Sequence, residues 1–336
     1  MKSVLIVGLG SIGRRHAKIL IEKGITNITG VDLRDDRIEQ AKKEIGISKF
    51  EKNYVKALEG NNYDAVFITL PTAYHTPVII EAAKRKSNLF IEKPVAADLK
   101  NIREALKVVE NNKVLSYTAY CYRFAPSAIR VKQLVNDGRI GKILSSRIKI
   151  STYLPDWHPW EDYRDFYMSK IEQGGGARLD ESHGVDLIRW IVGEIESVYS
   201  LVEKVSKLEI TADDLTVMIF KFKNGSVGEA HFDLLGRTPR IDLELIGSLG
   251  TLLWDRITGE VSLYESSKGE WILENFGKED FVKSYANQID HVIESFDNNL
   301  SPECDLKDGI ITLKVLEAAL RSSESKKVIN ISDINI

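Results

Sequence analysis

The feature that most limits the possible folds is a glycine pattern near the N-terminus, Gly8-Leu9-Gly10-Ser11-Ile12-Gly13. It follows the apolar run 3–7, which predicts a buried parallel strand. A helical pattern over 14–23, stopped by Gly24, comes directly after it. Glycines at this spacing between a strand and a helix are typical of a loop that binds the pyrophosphate of a dinucleotide. The sequence therefore predicts a dinucleotide-binding α/β domain.

An acidic residue, Asp32, ends the second predicted strand, 28–31. A carboxylate at this point accepts hydrogen bonds from both ribose hydroxyls and repels a 2′-phosphate, which favours NAD. Arg34 lies two residues further on and could instead partner a 2′-phosphate, so use of NADP stays open. In the simpler alternative, which we prefer, Arg34 is a solvated residue in the first turn of the next helix.

Strands and helices go on alternating up to about residue 120. Strands are predicted over 63–68, 88–91 and 113–119, with helices between them. This alternation predicts a doubly wound parallel sheet, the Rossmann fold, over residues 1–120. The loop 69–75 leaves the central strand, and we expect it along the nicotinamide half of the cofactor. Thr69, Pro71 and His75 are its candidate cofactor contacts, although a helix-capping or packing role suits His75 about as well.

The segment Glu92-Lys93-Pro94 follows the predicted strand 88–91 directly. The carboxyl end of a strand is where α/β sheets bind ligands, so the Lys93 ammonium is expected at a binding site. Proline fixes the backbone there and permits a cis peptide. Lys93 is the first candidate for a catalytic residue, with Glu92 beside it as a cofactor contact. The alternative is a surface lysine at a strand end.

The pattern changes after residue 120, where most segments resemble strands without intervening helices. They span 143–151, 195–205, 215–222, 226–234, 241–246, 251–255 and 260–264, with a hairpin turn at Asn224-Gly225. Successive strands of this kind predict an α+β domain over 121–336 with an open, mostly antiparallel sheet covered on one face. Helices are predicted over 279–298 and 306–323, and the last is expected to pack back toward the first domain.

A helical insertion in this second domain carries candidate chemistry. Gly174-Gly175-Gly176 precedes a helical pattern in which Asp180 and His183 are three residues apart and share one face. A histidine held by a carboxylate is a common general base for a hydroxyl proton at neutral pH. The alternatives are an N-cap for Asp180 and a buried, hydrogen-bonded packing histidine for His183.

An aromatic and charged loop lies upstream of that insertion. Its aromatic faces and polar groups suit a sugar ring, and the alternative is a loop packed at a subunit interface. The candidate substrate contacts in this loop are Trp160, Tyr163 and Arg164. The candidates outside it are Lys93, Arg123, Asp180 and His183.

Composition excludes several classes of partner. The chain has 336 residues, 43% hydrophobic and 28% charged, which is ordinary for a globular protein with a large core. Its formal charge of −3 argues against nucleic acid or a membrane surface. The two cysteines, Cys121 and Cys304, form neither a disulfide framework nor a metal-ligand spacing. Because no secretory signal follows Met1, we expect a cytoplasmic protein. Because the cysteines lack a metal-ligand spacing, we expect no metal site.

Together these motifs resemble the Gfo/Idh/MocA family, the glucose–fructose oxidoreductase, inositol dehydrogenase and rhizopine catabolism family of NAD(P)-dependent oxidoreductases. The glycine pattern matches its cofactor motif, Glu92-Lys93-Pro94 its lysine signature, and 174–186 its glycine-rich aspartate/histidine motif. The resemblance covers nearly the whole chain. It implies that Lys93, Asp180 and His183 are catalytic and that the second domain binds substrate. It also implies a homodimer or homotetramer through the open sheet.

Two departures from the family pattern bear on individual residues. Most members separate the aspartate and histidine by four residues, whereas Asp180 and His183 are separated by three. The family's common asparagine ahead of Arg-Phe is also replaced, because Cys121-Tyr122 precedes Arg123-Phe124. The Asp-x-Ser-His form looks like a subgroup associated with surface-polysaccharide and nonulosonic-acid sugars, so a nucleotide-linked sugar is one possible substrate.

The resemblance therefore implies oxidation of a ring hydroxyl of a sugar, sugar derivative or polyol, with hydride transfer to nicotinamide. His183 would take the hydroxyl proton and Lys93 would stabilise charge on the oxygen. Two other functions stay open. One is a lyase or glycosidase that retains NAD and uses it transiently, and the other is a non-catalytic sensor of dinucleotide and sugar.

Overall fold

The computed structural model describes residues 1–159 and 161–336. The chain divides into two compact units. The first unit contains Met1–Tyr120, Ala286–Ile310 and Ile336, and the second contains Cys121–Tyr285 and Ile311–Asn335. The chain first passes between the units after residue 120. The sequence pattern did not indicate that residues 286–310 belong to the first unit.

Strands and helices alternate through the first unit. In chain order they are β1 (Ser3–Val7), α1 (Ser11–Glu22), β2 (Asn27–Val31), α2 (Asp35–Ile45), β3 (Lys49–Glu51), α3 (Tyr54–Glu59), β4 (Ala65–Ile68), α4 (His75–Lys84), β5 (Asn88–Ile91), α5 (Ile102–Asn112) and β6 (Ser116–Thr118).

These strands form one parallel sheet. Within the described part of the chain it has six strands in the order β3-β2-β1-β4-β5-β6, with the order reversing between β1 and β4. Every residue of β4 is buried, which explains the continuous apolar run, because both faces of a doubly wound sheet are covered by helices. The predicted Rossmann architecture is confirmed. The short edge strand β3 was not predicted.

The second unit contains one large sheet and several helices. Its elements, with two helices that continue from or into the first unit, are α6 (Pro126–Asn136), β7 (Ile143–Tyr153), α7 (Leu154–Trp157), α8 (Ala177–Asp180), α9 (Ser182–Val192), β8 (Ile195–Glu203), β9 (Leu215–Phe222), β10 (Val227–Asp233), β11 (Leu235–Gly247), β12 (Gly250–Asp255), β13 (Glu260–Glu265), β14 (Glu270–Asn275), α10 (Asp280–Asn298), α11 (Leu306–Ser325) and β15 (Ile329–Asn330).

In the described residues this sheet has nine strands in the order β14-β13-β12-β11-β7-β10-β9-β8-β15. All neighbours are antiparallel except β7 and β10. The predicted mostly antiparallel sheet is therefore confirmed, as is the hairpin at Asn224-Gly225 between β9 and β10. The strands β14 and β15 were not predicted.

The two faces of this sheet differ in what covers them. On one face, α9 packs so closely that a Cβ added at Gly184 would lie 2.4 Å from the Phe232 ring of β10. The opposite face carries exposed apolar side chains on six strands. We call it the open face, and its exposed apolar residues are Tyr199, Leu201, Ile219, Val227, Ile246, Leu253, Trp271 and Leu273.

The longest helices are α10 and α11, with 19 and 20 residues. Charged residues interrupt the apolar stretches of both. In the described part of the chain, none of the helices contains an apolar stretch of the length that a membrane span requires.

Candidate active site

The glycine loop of the first unit has a shape that only glycine permits at two positions. Gly8 has φ +105°, and a Cβ there would lie 2.6 Å from the Thr69 carbonyl oxygen. A Cβ at Gly13 would lie 2.0 Å from the carbonyl oxygen of Gly8. Above Gly10, by contrast, a Cβ would meet only the Arg37 guanidinium, at 3.8 Å, among the described atoms. The loop is thus closed toward the protein and accessible where a pyrophosphate would approach.

The N-terminus of α1 supplies donors for such a ligand. Gly10 occupies the N-cap position and has no side chain to cap the helix. The first bond of the helix runs from the Arg14 N–H to the Gly10 carbonyl, at 3.0 Å. The earlier N–H groups, including those of Ser11 and Ile12, have no acceptor within the helix. Aligned N–H groups and the helix dipole favour a bound phosphate, so this cradle fits a dinucleotide.

Asp32 ties the glycine loop to the end of β2. Its Oδ2 accepts a hydrogen bond from the Leu9 N–H at 2.8 Å, and its Oδ1 accepts one from the Arg34 N–H at 2.9 Å. The carboxylate is buried, and its orientation is fixed by these two bonds. Because a carboxylate has about four acceptor positions, it retains capacity for ribose hydroxyls.

The two arginines that follow have different partners. The Arg34 side chain donates to the Asp36 carboxylate at 3.0 and 2.5 Å, and this bond holds the pKa of Asp36 at about 2. Arg37, which the sequence analysis did not single out, places Nη1 3.8 Å from Asp32 Oδ2 and lies over Gly10. Of these two arginines, Arg37 is the one whose guanidinium lies beside Asp32. A search of the first turn of α2 beyond Arg34 would have found it.

Hydrogen bonds of Thr69 and His75 hold the exit loop of β4 in place. The Thr69 hydroxyl donates to the Gly8 carbonyl at 2.6 Å, and Pro71 precedes a short 3₁₀ segment, Thr72–Tyr74. His75 is fully buried, with Nε2 2.8 Å from the Leu70 carbonyl oxygen and Nδ1 3.1 Å from the Pro94 carbonyl oxygen. Burial lowers the pKa of His75. Of the two roles considered for His75, this geometry corresponds to packing. Direct cofactor contacts from the loop stay predictions.

Lys93 lies in a turn held by neighbouring groups. It follows β5, and the Lys93–Pro94 peptide is cis. The Lys93 N–H donates to Glu92 Oε2 at 3.2 Å, and Glu92 Oε1 lies 2.7 Å from Nε2 of the buried His16. Burial by itself would raise the pKa of Glu92, but the hydrogen bond from His16 and the nearby charges of His16 and Lys93 leave it below its usual value. Two histidines, His16 and His75, thus stabilise this turn.

In the second unit, tight packing explains the glycine run before α8. A Cβ at Gly175 would lie 2.3 Å from the Tyr167 carbonyl oxygen. Gly176 has φ +106°, and a Cβ there would lie 2.3 Å from Asp213 Oδ1. The stretch predicted as one helix is two, α8 ending at Asp180 and α9 beginning at Ser182. Asp180 and His183 therefore belong to different helices, although both are buried.

The described partners of Asp180 and His183 also differ. The Tyr167 hydroxyl donates to Asp180 Oδ1 at 2.5 Å. The His183 imidazole stacks flat on the Tyr122 ring, with centroids 4.1 Å apart and planes 4° apart. Neither tyrosine was singled out from the sequence, although Tyr122 adjoins the predicted Arg123. The catalytic roles of Asp180 and His183 stay predictions.

Arg123 is engaged with Asp186 on α9. Its Nε and Nη2 donate to the two carboxylate oxygens at 2.9 and 2.6 Å, and both residues are buried. Bidentate pairs of this kind fix geometry as well as charge. A contact of Arg123 with substrate stays a prediction. The observed contact links the start of the second unit to the histidine helix.

The aromatic loop contains a surface ion-pair network. Arg164 donates to Asp162 and, at 2.8 Å, to Glu209, and the bond from Arg164 lowers the pKa of Asp162 to about 2. The Tyr163 hydroxyl accepts from the Glu209 N–H at 3.3 Å. Trp160 lies outside the described residues. Substrate contacts of this loop stay predictions.

Comparison with known proteins agrees with this division of the chain. A model described as the oxidoreductase family, NAD-binding Rossmann fold, matches residues 2–120. A model described as the oxidoreductase family, C-terminal alpha/beta domain, matches residues 132–331. These two matches together account for most of the chain.

Individual relatives match along nearly their whole length. Myo-inositol 2-dehydrogenase of Thermotoga maritima is 28% identical, over 98% of each chain. The scyllo-inositol 2-dehydrogenase (NAD(+)) of Bacillus subtilis is 27% identical, over 94% of this chain and 92% of its own. Among solved structures, levoglucosan dehydrogenase in complex with NADH and levoglucosan has a TM-score of 0.87 at 18% identity, covering 98% of this chain and 99% of that chain. The WlbA dehydrogenase from Bordetella pertussis, in complex with NADH and UDP-GlcNAcA, has a TM-score of 0.84 at 21% identity, covering 100% and 98%.

Proposed function

The chain belongs to the Gfo/Idh/MocA oxidoreductase family, and from that premise we propose that it oxidises a ring hydroxyl of a sugar, a sugar derivative or a polyol. Its first unit is an NAD-binding domain, and the activity is that of an NAD(P)-dependent sugar or polyol dehydrogenase. The observation that carries the finer proposal is the presence in one chain of a built dinucleotide cradle and of Lys93 and His183 at the family's motif positions.

In the proposed reaction a secondary alcohol becomes a carbonyl. The carbon loses hydride, and the hydroxyl oxygen loses a proton to the neutral His183 imidazole. The Lys93 ammonium donates a hydrogen bond to the same oxygen and stabilises the negative charge that develops on it. Bound NAD supplies the hydride acceptor. Asp180 binds a neighbouring substrate hydroxyl or orients the base.

The residues that would hold the cofactor lie in the first unit. The N-terminus of α1 and the glycine loop would bind the pyrophosphate, and Asp32 would accept hydrogen bonds from the adenosine ribose. Arg37 lies beside that carboxylate and over the loop, so its guanidinium joins Arg34 as a candidate partner for a 2′-phosphate. NAD is therefore the proposed main cofactor, with NADP as a weaker alternative.

The test is NADH and NADPH formation by purified protein with a panel of free sugars, polyols, sugar acids and nucleotide sugars. We expect turnover with one class of substrate, and a large loss of kcat in Lys93→Ala with NADH binding retained. Lys100→Ala, a lysine in the same unit but outside the motif, is the matched control. Wild-type turnover in Lys93→Ala would remove Lys93 from the mechanism. Silence across the panel, with NAD retained through purification, would favour the transient-redox or sensor alternatives.

We also propose that the open face binds a second copy of this chain. Exposed apolar residues such as Ile219, Val227 and Leu253 lie on one face of the sheet instead of being scattered singly over the surface. Extended apolar faces of this kind mark interaction sites. Between them, Arg147 lies 3.1 Å from Glu244 and 4.0 Å from Glu229, a band of both charges that can be self-complementary.

Light scattering after gel filtration tests this assembly. We expect a multiple of the 37.9 kDa chain mass for the wild type and a smaller species for Ile219→Glu. Val282→Glu, at an exposed position on α10 and not on a strand of the sheet, is the control that should leave the mass unchanged. A wild-type mass of one chain would exclude the proposed interface.

A further inference from the structure

Two adjacent residues, Tyr122 and Arg123, meet two residues one turn apart on α9. The Tyr122 ring stacks on the His183 imidazole, and the Arg123 guanidinium pairs with both oxygens of Asp186. All four side chains are buried. The histidine helix is therefore clamped to the segment 121–124 at two points, one aromatic and one ionic.

The stack restricts rotation of the His183 ring about χ2, which the helix backbone does not restrict. The χ2 torsion of histidine joins an sp³ carbon to an sp² ring, and such torsions have broad, soft minima. The position of α9 therefore places the His183 ring but does not fix its plane. A flat contact at 4.1 Å with 4° between planes does fix it, because rotation of the imidazole would collide with the Tyr122 ring.

The Tyr122 ring is itself held firmly. The Arg256 guanidinium carbon lies 4.5 Å from the Tyr122 centroid and 3.6 Å from the centroid of Phe281. The Trp254 ring packs against the same tyrosine in a T-shaped arrangement, with ring centroids 6.4 Å apart and planes at 66°. Trp254 in turn donates to the Ser127 hydroxyl at 2.7 Å. A ring packed against these groups cannot easily turn with the imidazole.

We propose that Tyr122 is a positioning residue, whose ring holds the His183 imidazole in the plane needed to accept the substrate's hydroxyl proton. The inference rests on the proposed role of His183 as the base. Tyr122 need not touch substrate, and its hydroxyl is not required, because the aromatic face alone makes the contact. Burial raises the pKa of Tyr122, so the phenol is neutral at physiological pH.

Three variants separate the stack from general packing. In Tyr122→Leu we expect kcat to fall roughly 10- to 100-fold, the range that small misplacements of reacting groups produce, with the substrate KM and the NADH Kd near wild type. Tyr122→Phe, which keeps the ring, should restore kcat to within about twofold. Phe220→Leu is the control, because Phe220 is a buried aromatic of the same unit packed edge-on to Phe222.

Nuclear magnetic resonance of protein with labelled histidine and tyrosine gives a readout that is independent of turnover. The chain has six histidines, so the His183 signal is assigned by its loss in His183→Gln. In the wild type we expect Overhauser contacts between the His183 Cε1–H and the Tyr122 ring, with that proton shifted upfield by the ring. This measurement does not require the leucine variant to fold.

The outcomes distinguish the inference from the function on which it rests. An inactive His183→Gln with wild-type kcat in Tyr122→Leu would overturn the positioning role, as would absent Overhauser contacts in the wild type. Equal losses of kcat in Tyr122→Leu and Phe220→Leu would also overturn it, since packing alone would then explain the effect. Full turnover in His183→Gln would instead overturn the proposed base.

Discussion

At the scale of single residues, the cofactor loop shows how neighbouring side chains of one type differ in role. Arg34 directly precedes α2, and Arg37 lies in its first turn. Arg34 pairs with the exposed Asp36, whereas Arg37 reaches Asp32. Asp32 was predictable because an acid that ends the second strand, at that spacing from the glycine pattern, lies where the ribose binds. The position of Arg37 was not predicted, because the direction of a long side chain depends on partners that spacing does not reveal.

The first residue-scale prediction concerns Asp32. Asp32→Asn keeps an acceptor oxygen but removes the charge, so we expect the NADH Kd to rise roughly tenfold or more, as for loss of a hydrogen bond to a charged group. NADPH binding should weaken less, because the repulsion of a 2′-phosphate disappears. Fluorescence titration with both cofactors measures the ratio, with the exposed Glu39→Gln on α2 as control. An unchanged ratio would mean that Asp32 does not contact the ribose.

The second residue-scale prediction concerns Glu92 and acid. Its pKa in the folded protein is below the usual value of 4.5, so the unfolded chain binds the proton more readily. The contribution of Glu92 to the free energy of unfolding is therefore present at neutral pH and lost as pH falls below about 4.5. We expect wild type to exceed Glu92→Gln by roughly 1.5–3 kcal/mol near neutrality, and by less in acid. Urea unfolding at both pH values tests this, and a gap that is independent of pH would contradict it.

At the scale of elements, the spacing of apolar residues and the turn residues predicted most helices and strands. They did not predict where α8 ends and α9 begins. Asp180 and His183 have helical spacing, and one helix was the natural expectation. The break lies at Glu181, whose φ of −87° and ψ of 21° interrupt the helical backbone. Neither Glu181 nor its two neighbours, Asp180 and Ser182, is a proline or a glycine, so the local sequence pattern carried no signal for the break. The strand β14 was missed because Trp271, Ile272 and Leu273 are consecutive and show no alternation.

The element-scale prediction compares two glycines with positive φ. A Cβ at Gly176 would lie 2.3 Å from Asp213, whereas Gly46 has φ +74° with nothing described within 4 Å. Gly46→Ala should cost only the conformational strain, about 1–2 kcal/mol in free energy of unfolding. Gly176→Ala adds a steric clash, so its cost should exceed that of Gly46→Ala clearly. Denaturant unfolding of both variants measures the difference, and equal costs would show that the glycine run relaxes freely.

At the scale of the whole molecule, the two sheets were predictable to different degrees. The parallel sheet follows from strand–helix alternation, because each crossover places the next strand nearby. In the second sheet the local hairpins were predictable, but the parallel pairing of β7 with β10 joins strands separated by the whole helical insertion. The assignment of residues 286–310 to the first unit is a long-range feature of the same kind. The family motifs were recognisable in the sequence because each is a short local pattern. They did not reveal the long-range strand pairings, which depend on residues far apart in the chain.

The central claim is hydride transfer from a substrate carbon, and the most direct measurement follows that hydrogen. With a substrate found in the panel and deuterated at the oxidised carbon, the reaction is run with NAD, and the NADH is isolated and its mass measured. We predict one deuterium on the nicotinamide ring and a carbonyl product with none at that carbon. Unlabelled NADH, or consumption of substrate with the deuterium retained in product and no NADH released, would contradict the proposed dehydrogenase.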